Sequence, residues 1–111
     1  MLRVDRIDGI AIVRVDSDVD IASASKFESY LRILRDDIVI VVDLDFCPYL
    51  DCNGFSVLHR ASRTQRLIVF TSEDSKVRKL FDIVGAGEVF PLFATEAAAL
   101  NAASTIAKAV E

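Results

Sequence analysis

The run Ile38-Val39-Ile40-Val41-Val42-Asp43-Leu44 constrains this chain more than any other stretch. All of it but Asp43 is apolar, and the apolar residues do not alternate with polar ones. A strand with one wet face alternates, whereas an unbroken apolar run needs cover on both faces, as a strand inside a parallel sheet does. Parallel neighbours cannot be joined by a tight turn, so crossover helices must lie between them. Leu67-Ile68-Val69-Phe70 is a second, shorter run of the same kind. The expected fold class is therefore α/β: a mixed, mainly parallel sheet of four to five strands with about four helices.

The rest of the chain supplies those parts. Val4, Ile7, Ile10, Ile12 and Val13 are strand formers, and Asp8-Gly9 between them is a two-residue hairpin signal, which adds one antiparallel strand. The second strand is expected to end at Val15, before the acidic stretch Asp16-Ser17-Asp18-Val19-Asp20. Phe27, Tyr30, Leu31 and Leu34 fall on one helical stripe, which predicts a helix from about residue 22 to residue 35, with Asp20 or Ser23 as its cap. A second helix is expected over about 53–64, with Phe55, Leu58 and Ala61 inward. A third covers about 75–83, with Val77, Leu80 and Phe81 inward, capped by Ser72 or Asp74 and stopped by Gly85 or Gly87. Residues 89–93 read as a short edge strand around Pro91. Thr95 is placed to cap a last, alanine-rich helix over 96–110, with Leu100, Ala103, Ile106 and Val110 as its inward stripe.

With 111 residues, 52% of them apolar, the chain is expected to form one domain spanning 1–111. A net charge of −4 argues against a nucleic-acid partner, and the clusters Arg60/Arg63/Arg66 and Lys76/Arg78/Lys79 read as solvated helix faces. No stretch approaches the length of a membrane helix and the first residues carry no apolar signal core, so no membrane insertion and a cytoplasmic location are expected. Cys47 and Cys52 are expected as free thiols. With His59 they fall one ligand short of a closed zinc site. No cofactor is expected. His59 is the single histidine and no Gly-x-Ser-x-Gly elbow exists, so enzyme activity is not expected.

In an open α/β sheet, ligands and partners meet the loops beyond the carboxyl ends of the parallel strands. Here those loops are residues 16–20 and 45–54, which brings Asp18 and Asp20 toward Asp51, Cys52 and Asn53. Asp51 and Asn53 both suit a helix cap and Gly54 suits a tight turn, so capping alone accounts for much of Asp51-Cys52-Asn53-Gly54. A helix start also attracts anions and lowers a thiol's pKa, which makes Cys52 either a reactive thiol or a small space-filler.

The order of these features resembles the STAS domain family, in particular the anti-sigma factor antagonists. Asp18-Val19-Asp20 stands where the family has a Gly-Glu-Leu-Asp-like element, with Asp20 matching its aspartate. Asp43-Leu44-Asp45 matches the end of the family's buried strand, and Leu50 the apolar residue before its switch loop. Asp51-Cys52-Asn53-Gly54 matches that loop, Asp-Ser-Ser-Gly in the family, and Phe55 and Leu58 match the apolar residues after it. The closing segments Phe81-Asp-Ile-Val-Gly, Val89-Phe-Pro-Leu-Phe and Glu96-Ala-Ala-Ala-Leu fit as well.

The resemblance implies a regulator that binds an anti-sigma factor with serine-kinase activity, through a surface of Asp20, Asp51, Cys52, Asn53, Gly54, Phe55 and Ser56. In the family the kinase phosphorylates the second serine of the loop. The added charge, about −1.5 to −2, then breaks the complex. Asn53 occupies that position and has no hydroxyl. A constitutively active antagonist, a pseudo-acceptor that only assembles a complex, and a nearby acceptor such as Ser56 are the three readings this leaves. Asn53-Gly54 is also a deamidation-prone pair, which would put a negative charge at the same place. Two alternatives remain: an accessory subunit of a lipid-transport ATPase, as some STAS proteins without the serine are, and a sensor of a small ligand at the rim. A homodimer through an apolar face of the last helix is a further possibility.

Overall fold

The computed structural model describes residues 2–110. Strands β1 (Leu2–Ile7), β2 (Ile10–Val15), β3 (Val39–Asp43), β4 (Leu67–Phe70) and β5 (Leu92–Phe93) form one sheet in the order β1-β2-β3-β4-β5. β1 pairs antiparallel with β2, and every other pair is parallel. The hairpin turns on Asp8 and Gly9, both at positive φ (51° and 82°), the two left-handed residues that a twisted hairpin favours.

Spatial order equal to chain order has a strong consequence. Right-handed crossovers that always step the same way place every connecting helix on the same face. Accordingly α1 (Ala24–Ile33), α2 (Cys52–Thr64) and α3 (Lys76–Val84) share one core with one face of the sheet: Phe27, Leu31, Val57, Leu58, Val77 and Phe81 pack with Val13, Ile40, Val42 and Val69. The opposite face would be bare without α4 (Glu96–Val110), which packs across β2 to β5. β3 is buried along its whole length, as its unbroken apolar run requires.

Three expectations change in detail. α4 buries Ala103 as expected, but with Ala99 and Ala107 in place of Leu100, Ile106 and Val110; Leu100 and Ile106 are half-buried at its flanks and Val110 is exposed. One helix that must cover most of a sheet lies close to it, and the small alanines face Ile12, Val39, Val41, Ile68 and Phe70 directly. α3 is capped by Ser75, whose Oγ accepts from the Arg78 N–H at 3.1 Å, not by Ser72 or Asp74. Gly85 is its C-cap, while Gly87 sits in the following 3-10 turn, Ala86–Glu88. α1 starts at Ala24, two residues later than expected, because Asp20 to Ser23 form a separate turn. Thr95 does cap α4: its Oγ1 accepts from the Ala98 N–H at 3.1 Å. Among the described residues, no helix is long and apolar enough to cross a membrane.

Candidate functional site

The two loops beyond β2 and β3 are joined by backbone. Val19 and Leu50 form an isolated parallel bridge, with the Val19 N–H donating to the Tyr49 carbonyl at 2.8 Å and the Asp51 N–H to the Val19 carbonyl at 3.1 Å. Val19 and Leu50 are buried beneath this clip, and Gly54 is pressed against both. A Cβ on Gly54 would lie 2.8 Å from Leu50 Cγ and 2.9 Å from the Val19 carbonyl oxygen, so this position excludes a side chain. The glycine of the loop is fixed by packing, independent of any partner.

Each loop then hands its chain to a helix through an aspartate. Asp20 Oδ1 accepts from the N–H groups of Ala22 and Ser23 at 3.0 and 3.2 Å, while Ser23 Oγ accepts from the Asp20 N–H at 3.0 Å. This reciprocal arrangement satisfies donors from both ends of the turn that leads into α1. Asp51 is the N-cap of α2: its Oδ1 accepts from the N–H groups of Asn53 and Gly54 at 2.9 and 3.2 Å. Its Oδ2 accepts from Asn53 Nδ2 at 3.3 Å. Desolvation pushes the Asp51 carboxyl up. Hydrogen bonds from the Gly54 N–H, the Asn53 side chain, the Asn53 N–H and the Ile21 N–H outweigh it and hold the group below its ordinary value.

The residues named from the sequence separate into two layers. Asn53 and Cys52 are exposed on the first turn of α2. Gly54 is buried, while Asp20, Asp51, Phe55 and Ser56 are half-buried. Phe55 does not face a partner squarely; its ring packs near Phe81 and Phe90, with centroids 6.2 and 5.9 Å away. Cys47 is buried below the loop and donates its thiol toward the carbonyls of Ser17 and Tyr49 at 3.3 Å. Burial pushes that thiol's pKa up, which makes it a poor nucleophile at neutral pH. His59 is exposed two turns along α2, and among the described residues no three His, Cys, Asp or Glu side chains converge on a metal position. Asp43 is buried at the end of β3, where its Oδ1 accepts from the Asp45 N–H at 2.9 Å and Arg14 lies 3.7 Å away. Desolvation raises its pKa against the pull of those two partners.

What the sequence did not single out is a set of exposed apolar side chains on the two rim loops. Ile21, Phe46 and Tyr49 stand on the two rim loops with 78%, 74% and 54% of their surfaces exposed. A groove of about 270 Å³ runs beside Tyr49, lined further by Asp51, Cys52, Lys76 and Leu80. In a sequence such residues read as core, so only their position in loops next to Pro48 and the polar loop hinted otherwise.

Comparison with known proteins agrees with this geometry. The crystal structure of an anti-sigma factor antagonist from Mycobacterium paratuberculosis is similar over 92% of each chain, with TM-score 0.82 and 23% identity. The anti-sigma factor antagonist SpoIIAA in its unphosphorylated form matches with TM-score 0.74 at 15% identity, over 95% of this chain and 97% of that one. The phosphorylated form of the Bacillus cell fate determinant SpoIIAA matches with TM-score 0.66, also at 15% identity, over 93% and 99% of the two chains. No curated protein sequence matches. The profile of the STAS domain covers residues 1–99, and with the sheet order and the rim described above it shows that this chain belongs to the STAS domain family.

Proposed function

We propose that this chain is a non-catalytic regulatory module that binds an anti-sigma factor with serine-kinase activity through the rim, as an anti-sigma factor antagonist does. The observation that carries the reading is the exposure of Ile21, Phe46 and Tyr49 on the two loops that meet beside the capped start of α2. Three large apolar side chains held in water on clipped loops have no role in the core. Exposed aromatics beside polar groups are the usual anchors of a protein interface.

Asn53 sets the regulatory state. It lies at the exposed start of α2, where a phosphoryl group would meet the Asp51 carboxylate, yet it offers only an uncharged amide. The site therefore stays in the uncharged condition that favours binding. Ser56 stands half-buried one turn further on, which argues against its replacing Asn53 as an acceptor. The same uncharged position suits an accessory subunit of a lipid-transport ATPase, and the two are separated by the partner itself.

The test is a tagged pull-down from cells of the source organism with mass spectrometry. The reading predicts that wild type retains a kinase-type anti-sigma factor and that Asn53→Asp retains much less. Retention of a transporter ATPase, with no anti-sigma factor, overturns the sigma-pathway reading and leaves the fold untouched.

A further inference from the structure

Away from the rim, the geometry points to a second protein-binding surface: a basic groove between α1 and α2 that takes an acidic, partly apolar polypeptide segment. The groove has a volume of about 400 Å³, and its polar walls are Arg32, Arg35, Arg60, Glu28, Thr64 and Gln65. Leu31 and Ala61 close its floor but are only 1% and 8% exposed, so the apolar surface the cleft offers a partner comes mainly from the stems of its long side chains.

The charges there are unevenly satisfied. Arg60 Nε donates to Glu28 Oε2 at 2.7 Å, which ties α2 to α1 and uses the one carboxylate in the lining. That hydrogen bond, helped by the nearby charges of Arg60 and Arg32, holds the Glu28 carboxyl below its ordinary value, so it stays ionised. Gln65 Nε2 donates to the Leu31 carbonyl at 2.9 Å and closes the far end. Arg35 has no side-chain partner among the described residues. Arg32 has only its through-space attraction to Glu28.

A helix dipole accounts for one of these arginines, Arg32 in the last turn of α1. Arg60 is accounted for by its bond to Glu28, yet the lining still carries three guanidinium groups against one carboxylate, on a chain whose net charge is −4. Guanidinium forks favour carboxylates in bidentate pairs, and the aliphatic stems of the arginines favour an apolar side chain between them. An acidic segment with interspersed apolar residues meets both demands. The groove runs from the middle of α1 and α2 to their far ends, whereas the first turns of these helices belong to the rim, so the two surfaces share no residue.

The experiment is an NMR titration of the labelled chain with a capped Glu-Glu-Leu-Glu-Glu-Leu peptide. Saturable shifts are expected at residues 28–36 and 60–66, fading with salt. The Arg32→Glu/Arg35→Glu variant, folded by its spectrum, should bind roughly tenfold more weakly, each exposed ion pair being worth a few-fold. Three results overturn the proposal: no saturable shift, equal binding of a Lys-Lys-Leu-Lys-Lys-Leu peptide, or the same shifts from inorganic phosphate or oligouridine at equal concentration. Since the rim is untouched, Asn53→Asp should leave these shifts unchanged, and failure here does not bear on the rim.

Discussion

The underside and the outer face of the rim are built from the same dozen residues of chain and obey different rules. Underneath, Val19, Leu50 and Gly54 are packed so closely that a single added methyl has no room. Outside, Ile21, Phe46 and Tyr49 leave more than half of their surfaces in water. The first layer fixes where the second is presented. It follows that stability and binding should be separable by substitution within one loop, although the positions are neighbours in sequence.

The most damaging way to probe that division is from below. Leu58→Ala, a fully buried position one turn past Gly54, should cost about 3 kcal/mol of stability, measured by urea unfolding. Gly54→Ala should cost about 2 kcal/mol, because the new Cβ meets Leu50 and the Val19 backbone and one of them must move. On the outer face, Phe46→Ala and Tyr49→Ala should each change stability by no more than about 0.5 kcal/mol in the same assay. A large loss there would erase the distinction between the layers.

Acid titration sharpens the comparison at a finer scale. Asp51 is held below its ordinary value, so its contribution to stability is complete above that value and fades as pH falls through the folded-state one. Asp43 is raised by burial, so its contribution is complete below the ordinary value and is lost as pH rises through the folded-state one. Asp51→Asn should therefore soften the loss of stability between neutral pH and the acid limb, and Asp43→Asn should steepen it. Thermal melts across that range would show both slopes. The smallest effect is chemical. Asp51 holds the Gly54 N–H, the nitrogen that must attack the Asn53 amide in deamidation. Asp51→Ala should speed the one-dalton mass gain at Asn53 several-fold, and an unchanged rate would mean that the cap does not guard this bond.

Much of the fold could be read from particular residues. The unbroken run at β3 demanded cover on both faces, and Asp8-Gly9 demanded a hairpin. The meeting of the two rim loops followed from the parallel order alone. The inward face of α4 could be read at Ala103 but not at Ala99 and Ala107, because hydrophobicity favours Leu100 and Ile106, whereas closeness to the sheet favours the small alanines. The cap of α3 was misplaced because Ser72, Asp74 and Ser75 are all good caps, and only the backbone angles choose among them. At the rim, Asp20, Asp51 and Asn53 could be named because their side chains suit helix starts. Ile21, Phe46 and Tyr49 could not, since a large apolar residue in a sequence carries no sign of whether its own chain will cover it. The groove of Arg32, Arg35 and Arg60 was hidden for a related reason: Arg60 was grouped with Arg63 and Arg66, its neighbours in sequence, while its neighbours in space lie on α1.

The most direct test of the central claim is a calorimetric titration of the partner retained by wild type with the Phe46→Ala/Tyr49→Ala variant, run beside its thermal melt. An outer face that exists for binding predicts a melting temperature close to wild type and an affinity weakened by roughly 30-fold or more, the loss expected of two interface anchors. An affinity equal to wild type in a folded variant would contradict it.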